Sequence, residues 1–124
     1  MRSGLVLEWH DSEVARIDAA GDILTVIFAA AQVGGAEDGY LRGVALRCED
    51  ASWQGLAGDC LGRLSAGLLR VNGARHSGLL LPAQLVGELV LELQFANGAE
   101  LRIQATRLQT QMPDEGLLTE VFRC

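Results

Sequence analysis

The sequence predicts an all-β protein, an antiparallel β-sandwich or partly open barrel of about seven to nine short strands with at most one short helix. Three observations support this fold class. Apolar residues alternate with polar ones in several short segments, turn-forming residues recur between those segments, and glycine is abundant, with 15 among 124 residues. Segments with helical periodicity are nearly missing, so we expect strands joined by turns rather than strands alternating with helices.

The clearest element is a hairpin over Glu88–Leu108, in which leucines at every second position stand on both sides of Asn97-Gly98. A two-residue loop would place Leu93 opposite Arg102 and mix apolar with polar side chains on one face. A three-residue loop that ends at Gly98 with positive φ matches the faces instead. The pairs predicted across this hairpin are Leu93–Leu101, Leu91–Ile103, Leu89–Ala105 and Glu92–Arg102.

Earlier elements follow in order from the N-terminus. Leu5–Trp9 predicts a short first strand, and His10–Ser12 predicts a turn after it. Val14–Ala19 and Ile23–Ala30 flank Gly21-Asp22 as a second hairpin. Both faces of Ile23–Ala30 are apolar, so we expect this strand at the centre of a sheet or at a subunit contact.

The middle of the chain is harder to assign. Gln32–Gly39 predicts a loop, and Tyr40–Cys48 predicts a strand with a bulge at Gly43. Ser52–Leu64 has apolar residues at helical spacing, but its glycines each cost a helix about 1 kcal/mol relative to alanine. We therefore expect an irregular segment there, with room for one short helical turn.

The remaining expected elements include one strand that must stop at a proline. Pro82 has no N–H to donate, so a central strand cannot continue through it. The elements are a strand over Leu61–Val71, a turn at Asn72-Gly73, a strand over Gly78–Leu81, a link over Pro82–Gly87, a loop over Gln109–Gly116 and a final strand over Leu117–Phe122.

Length and composition predict one globular domain over residues 1–124, since 49% of the residues are hydrophobic. No apolar run approaches the ~20 residues of a membrane span, and the start of the chain turns acidic before a signal-peptide core forms. We therefore expect a cytoplasmic protein without a membrane partner. All ten basic residues are arginine, which indicates the codon usage of a GC-rich bacterial genome. The formal net charge of −6 argues against nucleic acid as a partner.

The three cysteines, Cys48, Cys60 and Cys124, are odd in number and show no CxxC spacing. We expect reduced thiols, two of them small core residues and Cys124 exposed. No paired ligand spacing indicates a metal site, and no glycine-rich phosphate loop indicates a nucleotide, so we expect neither a metal nor a cofactor.

His10-Asp11-Ser12 is the cluster that most suggests catalysis. Three consecutive residues in a strand or tight turn point in different directions, whereas a catalytic triad needs a hydrogen-bonded chain. We therefore assign no catalytic residues. The simpler interpretation is that Asp11 or Ser12 bonds backbone amides and that His10 packs beside Trp9.

The opening segment, with Trp9, His10, Asp11, Ser12 and Val14, resembles small bacterial all-β proteins of unknown function that begin with an aromatic residue or leucine followed by His-Asp-(Ser/Ala). Some proteins of this kind are associated with toxin immunity. The resemblance implies a protein-binding role and transfers no site residue.

Our leading functional hypothesis is a non-catalytic interaction domain that binds another protein, or itself as a homodimer, through a sheet face or edge. The alternative is a small-ligand barrel, with Trp9, Tyr40 and Trp53 lining the cavity and His10 and Asp11 as further binding residues. A third hypothesis is a hydrolase that uses His10 and Asp11.

Overall fold

The computed structural model describes residues 5–35 and 39–112, which form ten β-strands and one short 3₁₀ helix. The strands are β1 (Leu5–Ala20), β2 (Ile23–Gly35), β3 (Gly39–Leu41), β4 (Ala45–Glu49), β5 (Ser52–Gln54), β6 (Gly62–Val71), β7 (Ala74–His76), β8 (Gly78–Leu81), β9 (Gln84–Phe95) and β10 (Glu100–Gln111). The 3₁₀ helix, Ala57–Asp59, lies between β5 and β6. No helix in these ranges is long and apolar enough to cross a membrane.

Six antiparallel strands close into a barrel in the order β1-β2-β4-β10-β9-β6, and β6 returns to β1. The seam between β6 and β1 is short, with only the pairs Glu13–Arg63 and Val14–Gly62. The other four strands lie outside this ring: β8 pairs with the start of β1, β3 with the end of β2, β5 with β10 and β7 with β6. The all-β prediction is confirmed. The ten strands exceed the predicted seven to nine because three of them, β3, β5 and β7, have only three residues each.

β1 is one 16-residue strand, so the predicted turn at His10–Ser12 is wrong. Glu8 pairs with Gln32 and Glu13 with Ala30, so β1 advances five residues (8 to 13) while β2 advances two (30 to 32). The extra residues form a large bulge, which keeps the strand continuous while it bends. Polar residues that suit a turn also suit a bulge, and the two cannot be told apart from composition. The predicted hairpin at Gly21-Asp22 is confirmed, with Ala20 opposite Ile23.

The predicted β9–β10 hairpin is confirmed together with its register. Gly98 has φ 95°, and its N–H donates to the Phe95 carbonyl at 2.9 Å, which closes the three-residue loop. The observed pairs are Leu93–Leu101, Leu91–Ile103, Leu89–Ala105 and Glu92–Arg102. Their alternation buries the leucines and leaves the intervening polar side chains outside.

Several boundaries differ from the sequence-based expectations. β2 continues to Gly35, so the predicted loop begins too early, and Tyr40–Cys48 is two strands because the chain breaks at Gly43, where φ is 83°. Pro82–Gly87 is not a link: β9 already starts at Gln84 and absorbs Gly87 as a bulge. β10 likewise extends to Gln111. In the three extended strands, β2, β9 and β10, a neighbouring strand supplies hydrogen bonds to residues with weak β-propensity.

The remaining predictions are confirmed in whole or in part. The short helical turn expected within Ser52–Leu64 is present at Ala57–Asp59, but the segment is not mostly irregular, because β5 begins it and β6 starts at Gly62. β6 covers most of Leu61–Val71 before the turn at Asn72-Gly73. β8 ends immediately before Pro82. The predicted final strand over Leu117–Phe122 lies outside the described residues.

The core packs Trp9 against a glycine of β6. Trp9 is 2% exposed, and a Cβ built on Gly67 would lie 2.5 Å from the Trp9 Cβ. No real side chain tolerates that separation, so Gly67 is what allows β1 to approach β6 next to the bulge.

Gly67→Ala is expected to lower the free energy of unfolding by about 1–3 kcal/mol, because its methyl group would overlap Trp9 in the packed core. Urea unfolding followed by tryptophan fluorescence measures the change. The matched control is Gly58→Ala, where a Cβ meets nothing within 4 Å. Equal stability of the Gly67→Ala variant and the wild type would contradict this packing.

Cys48 and Cys60 are buried, as predicted, and Cys124 lies outside the described residues. Burial raises the pKa of the Cys48 thiol to about 12. Burial, followed by the neighbouring Asp59 carboxylate, raises the pKa of Cys60. Both thiols are therefore protonated and shielded at neutral pH.

In a Cys124→Ser background we expect N-ethylmaleimide to modify Cys48 and Cys60 at pH 8 at least about 100-fold more slowly than free cysteine. Guanidinium chloride should expose both thiols at once. Rapid native-state labelling, measured by mass spectrometry, would contradict the burial of these thiols.

The raised pKa of Cys48 also makes the stability of the fold depend on pH. The contribution of the protonated Cys48 thiol to the free energy of unfolding is complete below the unfolded-state pKa and is lost as the pH rises toward 12.

Candidate functional site

The bulge of β1 is fixed by the hydroxyl of Ser12, which is fully buried. Ser12 Oγ donates to the Glu8 carbonyl at 2.6 Å and accepts from the Gln32 N–H at 2.8 Å. The expectation that this cluster bonds backbone groups is therefore confirmed for Ser12. Its hydroxyl joins the two ends of the bulge to β2, and neither of these bonds involves His10.

His10 and Asp11 project from the same bulge into solvent. Asp11 has φ 69°, and its carboxylate lies 3.6 Å from His10 Nε2 and 3.6 Å from an Arg63 guanidinium nitrogen. The three side chains are 61%, 43% and 66% exposed in the order His10, Asp11 and Arg63, so the Asp11–Arg63 ion pair contributes at most about 1 kcal/mol. This arrangement connects β1 to β6 beside the barrel seam.

A cleft of about 340 Å³ opens between β1, β6 and β8, where β1 leaves β6 and pairs with β8. Its lining residues are Val6, Glu8, Trp9, His10, Ser65, Ala66, Gly67, Ser77 and Gly78. The cleft contains two of the predicted binding residues, Trp9 and His10. The Trp9 Nε1 is buried and has no hydrogen-bond partner in the described part of the chain.

The other predicted binding residues lie elsewhere. Tyr40 on β3 is opposite Gln32, which is in turn opposite Glu8 on β1. Trp53 on β5 is opposite Ile103 and packs against the core from the far side of the barrel ring. Trp53 lines a separate cleft of about 170 Å³. The three aromatic rings thus belong to three different strands, and Trp9 and Trp53 line different clefts.

A row of four strands, two of the barrel and two outside it, carries an exposed leucine that the sequence analysis did not single out. β8, β1, β2 and β3 lie side by side, and β8 ends this row with β1 as its only strand partner among the described residues. Leu80 on β8 is 60% exposed and is opposite Val6 on the same face of the sheet. The signal in the sequence was the uncharged run Gly78–Leu81, apolar on both faces and next to a proline.

A larger concave surface crosses the outside of β6, β9, β10 and β5, with a volume of about 660 Å³. We call it the barrel groove. Its lining residues are Asp50, Ser52, Arg70, Gly73, Gly87, Glu88, Leu89, Val90, Arg102, Gln104, Ala105 and Thr106. Thr106 Oγ1 donates to the Asp50 carboxylate at 3.1 Å, and Arg102 lies 3.6 Å from Glu92. None of these residues was predicted as a binding residue, because no local motif connects them.

Metal binding was not predicted, and in residues 5–35 and 39–112 no group of three or more His, Cys, Asp or Glu side chains is arranged to hold a metal ion.

Ser12→Ala is expected to lower the free energy of unfolding by about 1–3 kcal/mol, because it leaves a partly buried carbonyl and a partly buried N–H without these partners. Ser65→Ala, which removes an exposed bond of 3.2 Å to the Gln94 carbonyl, is the matched control and should cost less than about 1 kcal/mol. Chemical unfolding measures both. Similar losses in the two variants would show that Ser12 does not hold the bulge.

A scan against protein-family models finds no family that matches this chain, and searches of curated proteins and of solved structures find no match.

Proposed function

We propose that this protein is a non-catalytic interaction domain that associates with a second copy of itself along the edge of β8. The single observation that carries this proposal is the combination of an open strand edge with an exposed leucine and no charge. β8 has β1 as its only strand partner in the described ranges, and its four residues, Gly78–Leu81, include no ionisable side chain.

An open edge presents N–H and C=O groups that can pair with another strand. Proteins that remain monomeric usually protect such edges with charged side chains, prolines or bulges. Pro82 lies just beyond β8 and leaves its four residues free to pair. β3, the strand at the other end of the row, has only three residues and is followed by Arg42. β8 is therefore the less protected of the two edges.

The side chain of Leu80 makes association favourable. Full burial of a leucine contributes about 1.5–3 kcal/mol, and Leu80 still exposes 60% of its surface. Antiparallel pairing of β8 with β8 of a second copy brings the two Leu80 side chains together beside Val6. Identical uncharged strands meet without like-charge repulsion at the contact.

The net charge of −6 opposes approach of two copies at long range. Because salt screens that repulsion but does not weaken apolar contact, the proposed dimer should tighten as the salt concentration rises.

The resemblance of the Trp9–Val14 segment to immunity-like proteins also implies a protein-binding role. This resemblance, the strand edge of β8 and the exposed Leu80 together favour binding of a polypeptide.

Size-exclusion chromatography with light scattering tests the proposal. We expect the wild type to have twice the mass of the chain, and Leu80→Lys to be monomeric, because two ammonium groups would meet at the contact. The matched control is Leu56→Lys, which alters a leucine that is 73% exposed near the 3₁₀ helix and should leave the dimer intact. Circular dichroism checks that all three proteins are folded.

A wild type that remains monomeric at its highest soluble concentration, at low and at high salt, would overturn the proposal. So would dissociation by Leu56→Lys to the same extent as by Leu80→Lys.

A further inference from the structure

Two arginines lie directly opposite each other on the barrel surface. Arg70 on β6 pairs in register with Arg75 on β7, so both side chains project from the same face of the sheet. Arg70 is half-buried and lines the barrel groove, whereas Arg75 is exposed. Like charges placed opposite each other across two strands destabilise a sheet.

Neither guanidinium has a hydrogen-bond or ion-pair partner among residues 5–35 and 39–112. The other described arginines differ in this respect. Carboxylates lie within 4.0 Å of five of them, in the pairs Arg16–Asp18, Arg47–Glu49, Arg63–Asp11, Arg102–Glu92 and Arg107–Glu49. Arg42 also makes an interaction. Among the described arginines, this adjacent pair without carboxylate partners is therefore a marked exception.

We infer that Arg70 and Arg75 bind the oxyanion of a small organic ligand, a carboxylate or a phosphate, that lies in the barrel groove. An oxyanion between the two guanidinium groups neutralises their repulsion and accepts charge-assisted hydrogen bonds from both. The anion thus supplies the negative charge that no described side chain places next to Arg70 and Arg75.

The rest of the groove suits the body of such a ligand. In the register of the sheet, Arg70 is opposite Val90, Val90 is opposite Gln104, and Gln104 is opposite Ser52. A row therefore leads from the two positive charges across an apolar side chain to an amide and a hydroxyl, both of which can donate and accept hydrogen bonds. The volume of about 660 Å³ falls within the range of small-molecule sites, about 300–1,000 Å³.

Two carboxylates also border the groove and limit which anions fit. Asp50 is held by the Thr106 hydroxyl, and Glu88 has no ion pair with Arg70 within 4.0 Å. A ligand with negative charge along its whole length would meet both carboxylates. The geometry therefore favours a molecule with its anionic group at one end and neutral or positively charged groups at the other.

The first test measures the melting temperature of the wild type against increasing phosphate and, separately, acetate, with sodium chloride at matched ionic strength as the reference. We expect a saturable rise with at least one of the two oxyanions and none with chloride. Phosphate and acetate distinguish a phosphate site from a carboxylate site. No saturable rise with either anion would overturn the inference.

The second test uses variants. Arg70→Gln and Arg75→Gln should each weaken binding of the active anion at least about tenfold, measured by titration calorimetry. Arg16→Gln is the matched control, because Arg16 is an exposed arginine whose partner is Asp18. Binding that survives in both Arg70→Gln and Arg75→Gln, or that Arg16→Gln removes equally, would contradict the assignment.

The third test needs no ligand. At low ionic strength Arg75→Gln should raise the melting temperature of the unliganded protein, because it removes the repulsion between the two arginines, and added salt should reduce the gain. A variant that is less stable than the wild type under these conditions would show that the pair is already neutralised. Leu80→Lys should bind the anion normally, so this site and the proposed dimer can fail independently.

Discussion

The hydrogen bonds of Ser12 are the constraint on which the arrangement of strands depends. One hydroxyl joins the Glu8 carbonyl to the Gln32 N–H and so holds the excess residues of β1 in a compact bulge. Before the bulge, β1 pairs with β8; after it, β1 pairs with β6. A single strand therefore belongs both to the closed barrel and to the outer row of strands. Within the described residues, the edge position of β8 and the neighbouring cleft both follow from this change of partner by β1.

The period of two along β9 and β10 connects the core to the barrel groove. Burying Leu91 and Ile103 on the inner side requires the residues between them to project outward. Val90 and Gln104 are therefore neighbours on the outside, in line with Arg70 on the adjacent strand. The three-residue loop at Gly98 fixes this register, since a shift of one residue would exchange the two faces. The same alternation that builds the core thus also composes the groove floor.

The two proposed surfaces are local exceptions to the rest of the described surface. Most arginines there are paired with carboxylates, yet Arg70 and Arg75 have only each other as facing side chains across the β6–β7 pair. Most strands are covered by neighbours on both sides, yet β8 ends its row and exposes Leu80. Each exception carries a cost, in charge repulsion for the arginines and in exposed apolar surface for the leucine. Ligand binding and self-association are the physical ways to relieve these costs.

The sequence by itself determined the all-β class, the β9–β10 register, the turn at Asn72-Gly73 and the end of β8 at Pro82, because period-two alternation, glycine with positive φ and proline act over neighbouring residues. It also indicated that Asp11 or Ser12 bonds the backbone, and the structure shows that Ser12 does so. Only the tertiary structure decided that His10–Ser12 is a bulge, that Trp53 lines a different cleft from Trp9, and that Arg70, Val90 and Gln104 form one row across three strands. Those relations depend on which distant strands pair, and pairing is settled by the packing of the whole barrel, which no local pattern encodes.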